Sequence, residues 1–219
     1  MRKPQINKLI FIIVNLYVFI SVLIISTMAL FTKIEMINGI SYLRYFTTLS
    51  NIYAGIVSLV FAIHVAINFD SGVHFSRRLS NLYLSSAVGL TLTFLVTAFF
   101  LGPTFAMKGT GYFSLFNGSL FCLHFFNPML VLFSYILFLK ADTKKFDFFI
   151  GIIPMVIYAI FYSSMTMSGA MEEFYGFTFG GHFAFMPLIL LVMLIVVSLI
   201  SLGLFMLNKK VRKLEIWRI

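Results

Sequence analysis

The sequence predicts an all-α bundle of six membrane-crossing helices, and three observations carry that prediction. The chain is 61% hydrophobic and 11% charged, with a mean hydropathy of +1.02. A soluble domain runs near half apolar and a quarter charged, and a chain of 219 residues has too much surface to cover with so few charges. Six apolar stretches are each long enough to cross a hydrocarbon core, which takes about 20 residues as helix. The Lys and Arg residues fall between these stretches in an alternating pattern.

The first stretch, Leu9–Phe31, is longer than the ~7–15-residue apolar region of a signal peptide, and no small-x-small cleavage site follows it. The second, Ser41–Asn68, is long, so its first turns lie outside the core or the helix tilts. The others are Leu79–Leu101, Ser119–Leu139, Phe148–Met165 and Phe183–Leu207. With this threading, thirteen of the 16 Lys and Arg residues lie on one side, in the N-terminal segment, the loops at Arg77-Arg78 and Lys140–Lys145, and the tail. Only Lys33, Arg44 and Lys108 lie on the other. Cytoplasmic loops retain Lys and Arg, so both termini are expected in the cytoplasm of a multi-pass cell-membrane protein. The chain reads as one domain, 1–219, with its longest loops outside, at 102–118 and 166–182.

The composition excludes disorder, coiled coil and nucleic-acid binding. One cysteine, Cys122, excludes an intrachain disulfide and a Cys-based metal cluster. There is no H-E-x-x-H spacing, no phosphate-binding Gly-rich loop and no G-x-S-x-G elbow, so neither a metal nor another cofactor is expected. No span contains a carboxylate, which argues against a carboxylate-driven pump.

Polar residues inside a span are costly and therefore informative. The second span opens Arg44-Tyr45-Phe46-Thr47-Thr48-Leu49-Ser50-Asn51. On a helix Arg44, Thr47, Ser50, Asn51 and Ala54 would share a face. The fourth contains Leu123-His124-Phe125-Phe126-Asn127-Pro128. Pro128 has no N–H, so the carbonyl of His124 loses its helical donor. With the spans as drawn, Thr47 and His124 lie about six and five residues from the same side of the membrane, roughly 8–9 Å deep at 1.5 Å per residue. A hydroxyl and a neutral imidazole at one level make a candidate nucleophile and base. The structural alternative is that Thr, Ser, Asn and His simply join helices.

His182 follows Gly180-Gly181 at the outer start of the sixth span and could approach the same cavity, whereas His64 and His74 lie toward the cytoplasmic side. The outer loop from Glu172 to Gly181 mixes aromatics with glycine. It reads either as an interfacial belt or as a lid in which Glu172 or Glu173 pairs with Arg44.

Tyr45-Phe46-Thr47 with Asn51, Leu123-His124 with Pro128, and the aromatic-glycine turn Phe174–Phe179 together resemble the androgen-induced-gene and androgen-dependent-inhibitor family and its bacterial six-span relatives. The order and spacing of these features cover most of the chain. The resemblance implies an intramembrane threonine hydrolase acting on branched fatty acid esters of hydroxy fatty acids, with one Thr and one His. By motif these would be Thr47 and His124, with Thr48 as the adjacent register. The sequence departs at Tyr175-Gly176-Phe177, where relatives often have Tyr-Pro-Phe.

The expected function is therefore hydrolysis of a lipid ester within the bilayer. Thr47 and His124 would be catalytic. Arg44, Asn51, Asn127 and His182 are candidates for substrate or oxyanion contacts. A lipid or small-solute transporter, or a non-catalytic membrane scaffold, would use the same polar cluster as a binding site.

Overall fold

The computed structural model describes residues 3–31, 39–140, 143–175 and 183–213. Six helices in it are long and apolar enough to cross a membrane: α1 (Lys3–Phe31), α2 (Phe46–Ile67), α3 (Arg77–Met107), α4 (Gly118–Phe138), α5 (Asp147–Met167) and α6 (Met186–Arg212). Among the described residues there is no strand. Helices suit this composition because each satisfies its own backbone hydrogen bonds away from water.

Neighbours alternate in direction, so the starts of α1, α3 and α5 meet the ends of α2, α4 and α6 at one end of the bundle. Side-chain ties fix this basic end. Lys8 is buried, and its Nζ donates to the carbonyls of Asn68 (3.3 Å), Phe69 (2.6 Å) and Ser71 (2.5 Å), closing α1 onto the C-terminus of α2. Arg77, at the start of α3, grips Asp147, at the start of α5, with Nε donating to Oδ1 at 3.0 Å and Oδ2 at 2.8 Å and Nη2 donating to Oδ1. Near the end of α6, Asn208 Nδ2 donates to the Tyr135 and Leu139 carbonyls, at 2.6 and 2.8 Å, which closes the end of α4.

α3 is the centre of the bundle. It packs against α2, α4, α5 and α6. In its most apolar window 61% of residues are buried, against 22% for α6. Its buried Ser80, Ser85, Ser86 and Thr93 are small, which lets neighbouring backbones approach. The middle of the bundle is filled by Phe11, Phe61, Phe75, Tyr83 and Tyr135, with the Phe61 and Tyr83 rings edge to face at 4.6 Å. The Tyr83 hydroxyl donates to Asn15 Oδ1 at 2.7 Å, so its polar tip is satisfied within the apolar core.

The first helix starts earlier than expected, at Lys3 rather than Leu9, the sixth is shifted to Met186–Arg212, and three further departures bear on the site and its framework. The second helix begins at Phe46 rather than near Ser41, because Gly39–Arg44 is a 3-10 turn and Tyr45 is extended (φ −86°, ψ 136°). Arg44 is therefore off the helical face of Thr47 and Asn51. The third span continues to Met107. The fifth begins at Asp147, and this carboxylate is 1% exposed. The expectation that no span holds a carboxylate is thus corrected, its burial being offset by Arg77.

The helices also widen into π-turns at Thr97–Leu101, Cys122–Phe126 and Ser134–Phe138. The first two each precede a proline by two residues, Pro103 and Pro128. The proline ring leaves no room for a regular α-turn, and the backbone shifts register: Gly102 N–H bonds Thr97 O, and Asn127 N–H bonds Cys122 O. The third lies where the Asn208 amide engages the carbonyls of α4.

Candidate functional site

The candidate residues lie at the end of the bundle opposite the basic ties. Thr47 is the second residue of α2, about 2 Å along the axis from its start rather than the 8–9 Å expected. His124 sits in the π-turn of α4, six residues after Gly118 and 6% exposed. The Asn51 amide links the two segments: Nδ2 donates to the carbonyl of Thr47 at 2.8 Å and to that of Leu123, the neighbour of His124, at 3.1 Å. His124 itself does not line the cavity that Thr47 lines.

His124 Nδ1 lies 2.6 Å from the carbonyl of Leu115. A carbonyl only accepts, so Nδ1 carries the proton and Nε2 presents its lone pair. Leu115 belongs to the 3-10 turn Tyr112–Phe116 that precedes α4, and the Phe116 ring stands edge-on to the imidazole at 6.4 Å. The turn holds the ring in one tautomer, the task a buried carboxylate performs in many hydrolases. Among the described residues, no hydrogen bond joins Thr47 Oγ1 to the imidazole.

Thr47 lines a cavity of about 40 Å³, shared with Phe46, Thr93, Met155, Tyr158, Tyr175 and Met193 among others. That is room for a few waters, not for an acyl chain. Thr48 is 2% exposed and does not line the cavity. Of the two adjacent threonines, Thr47 is therefore the one that a ligand in the cavity meets.

Asn51 and Asn127 are tied into the framework. Asn127 Nδ2 donates to Asn51 Oδ1 at 3.3 Å, and Asn127 Oδ1 accepts from Ser21 Oγ at 2.9 Å. With its Nδ2 shared between two carbonyls, Asn51 has no free donor for an oxyanion. The first turn of α2 offers donors instead. Its N-cap residue, Tyr45, makes no side-chain cap. Phe46 N–H donates to the Tyr175 hydroxyl at 3.0 Å, which leaves the N–H groups of Thr47 and Thr48 as the unpaired donors of the helix start.

A tyrosine cluster closes this end, and the sequence offered no motif for it. Tyr158 OH donates to the carbonyl of Arg44 at 2.8 Å and approaches Tyr175 OH at 3.3 Å. Burial pushes the Tyr175 phenol above its ordinary range, so it stays protonated. Glu173 accepts from Tyr162 OH at 2.9 Å. The expected pairing of Glu172 or Glu173 with Arg44 is not formed: the Arg44 guanidinium lies over the rings of Tyr45 and Phe174, 5.0 Å from each centroid. His182 and the loop 176–181 lie outside the described residues. His64 Nε2 bonds the carbonyl of His74 at 3.0 Å, at the basic end. Among the described residues, no three His, Cys, Asp or Glu side chains converge on a metal-sized site.

Comparison with protein-family models, with curated proteins and with solved structures returned no match.

Proposed function

We propose that the protein is a cell-membrane hydrolase of a lipid ester, with Thr47 as nucleophile and His124 as its base. The observation that carries the reading is the Leu115 carbonyl on His124 Nδ1, which leaves Nε2 with a free lone pair. The resemblance in motif order to the six-span threonine hydrolases supports the same pair. The charge distribution supports an orientation with the basic end cytoplasmic and the pair toward the outer face.

In the reaction, Thr47 Oγ1 gives its proton to His124 Nε2 and bonds to the acyl carbon. The oxyanion of the tetrahedral intermediate is met by the N–H groups of Thr47 and Thr48 at the positive end of the α2 dipole. The ester C–O bond then breaks, and the leaving alkoxide takes the proton from Nε2. Water repeats the sequence on the acyl-threonine and releases the carboxylic acid. Hydroxyl and imidazole close on each other when substrate binds, as catalytic hydrogen bonds commonly do. The acyl chain enters by displacing side chains, and Met155 and Met193 are the adaptable walls of the cavity. Below it the bundle axis is filled by Phe11, Phe61, Tyr83 and Tyr135, which favours a dead-end site over a transport path.

Ester turnover and fluorophosphonate labelling test this on four variants. Thr47→Ala and His124→Ala should each lower turnover by about 10³-fold or more. The double variant should be little worse than either, because the two act as a unit. Thr47→Ser should keep part of the rate. If the residues only join helices, each is worth about 0.6 kcal/mol on average, and the variants would melt earlier yet still turn over ester. That outcome ends the catalytic reading.

A further inference from the structure

At the basic end, the loop before α5 carries Lys144 and Lys145, both exposed. Its backbone is fixed, because Lys144 N–H donates to Asp147 Oδ2 at 2.8 Å. The grip of Arg77 on Asp147 brings the start of α3, with the exposed Arg78, against the same place. The two loops that meet here, 68–78 and 140–147, hold five Lys and Arg residues against Asp70, Asp142 and Asp147, an excess of two positive charges. Among the described residues neither Lys144 nor Lys145 makes an ion pair.

Lys145 leads from this charge to an apolar surface. Its Nζ lies 5.6 Å from the centroid of the Phe146 ring, and that ring stacks on the ring of Phe149 at 6.4 Å. Both phenylalanines are exposed. Phe149 in turn lines a groove of about 370 Å³ between α5 and α6, with Ile153, Val156 and Ile157 on one side and Leu194 and Ser198 on the other. That is within the range of ligand-sized clefts, about 300–1,000 Å³. Ser198 Oγ donates to the Leu194 carbonyl at 2.6 Å, so its proton is spent within its own helix and the groove suits an apolar occupant. From Phe149 to Ile157 the groove runs roughly 12 Å toward the middle of the bundle, at 1.5 Å per residue. The charge and the groove are thus two parts of one surface, joined by a pair of stacked rings.

A groove on the outside of a membrane bundle meets lipid, and the charge at its mouth selects which lipid. A zwitterionic head group brings a cation of its own toward the lysines, whereas a head group of net negative charge does not. We propose that the groove between α5 and α6 holds an acyl chain of an anionic phospholipid whose phosphate is bound by Lys144 and Lys145. The ring under the Lys145 ammonium attracts its charge and leaves N–H donors for the phosphate oxygens. The site is at the opposite end of the bundle from Thr47 and does not rest on the hydrolase reading.

The test is native mass spectrometry of the full chain in detergent with equal amounts of dioleoylphosphatidylglycerol and dioleoylphosphatidylcholine. The wild type should retain phosphatidylglycerol about tenfold or more in preference to phosphatidylcholine. Lys144→Gln combined with Lys145→Gln should bring the preference down to about twofold or less. Arg2→Gln combined with Lys3→Gln removes the same charge from the start of α1, which packs on α2 and α4, and should leave the preference in place. Leu194→Trp fills the groove from an exposed wall and should abolish retention of phosphatidylglycerol. Equal retention of the two lipids by the wild type overturns the proposal, and that arm needs no variant to fold. So does an equal fall in the two double variants, which would mean diffuse attraction to negative lipid rather than a site. Undiminished retention by Leu194→Trp, or displacement of the lipid by free sn-glycerol 3-phosphate, would mean a phosphate site without a tail and likewise overturns it. A lipid-free dimer that Leu194→Trp dissociates would give the groove to a second copy of the chain, with the same result.

Discussion

Lys8 and Asp147, at the basic end, are both buried charges, and each is held by partners from distant parts of the chain. Arg44, at the other end, lies against two adjoining rings, Tyr45 and Phe174, and has a buried donor with nothing to bond. The contrast extends to the backbone. The C-terminus of α2 is closed by an ammonium, whereas its N-terminus has no side-chain cap and receives one tyrosine hydroxyl. The basic end thus satisfies its buried charges within the chain. The tyrosine end keeps donors available, which a site that must receive an oxyanion needs and a merely structural end does not.

The largest stability effect should come from breaking the tie at the satisfied end. Arg77→Ala leaves the 1% exposed Asp147 without its partner. The Arg77 side chain is 45% exposed and Asp147 keeps the Lys144 N–H at 2.8 Å, so the loss stays below that of a fully buried pair, at about 2–3 kcal/mol, and the variant should melt below the wild type in detergent. Asp147→Asn leaves the half-exposed Arg77 reachable by water and should cost much less. Equal losses in the two variants would mean that the pair is not what holds α3 to α5.

A smaller effect is expected where α5 and α6 touch. Ser201 Oγ donates to the Phe148 carbonyl at 2.5 Å, and a Cβ on Gly151 would collide with that hydroxyl. Gly151→Ala should cost about 1–3 kcal/mol through overpacking, and Ser201→Ala in the same chain should recover part of it. Melting curves of the two single variants and the double check this. Turnover should fall less than stability, because the contact is remote from the tyrosine end.

The smallest effect belongs to Thr48. Thr48→Ala should retain turnover within about twofold and lose about 1 kcal/mol of stability or less. A Thr48→Ala protein without activity would move the nucleophile by one residue and break the assignment made from the cavity.

The spans were legible because long apolar runs and the alternation of Lys and Arg are local signals. Their bounds were less so. Tyr45 and Phe46 are both aromatic and neither is a helix-start residue type, so the break between turn and helix left no trace in composition. Asp147 read as a loop residue because the partner that permits its burial is 70 positions away. Lys8 read as a topology charge for the same reason. Thr47, His124 and Asn51 could be picked out as polar residues in apolar runs. The Leu115 carbonyl that fixes the His124 tautomer could not, since every residue has a carbonyl and only the fold aims this one. Tyr158 was hidden among the aromatics of a chain with 10 tyrosines and 28 phenylalanines, and Tyr175 stood out only as part of the aromatic-glycine turn, with no sign of its bond to the Phe46 N–H.

The Lys8 clasp also sets an order of assembly. Its three carbonyl acceptors, on Asn68, Phe69 and Ser71, lie at the end of α2, and the packing of α1 on α2 is the most extensive helix pairing in the bundle. Every group of the clasp lies within the first 71 residues, so the first two helices can close as a hairpin before α3 has left the ribosome. The ammonium then meets the negative end of the α2 dipole and holds the loop on its own side of the bilayer. The hairpin fixes the threading that the later helices inherit, and α3 arrives to find a surface already built.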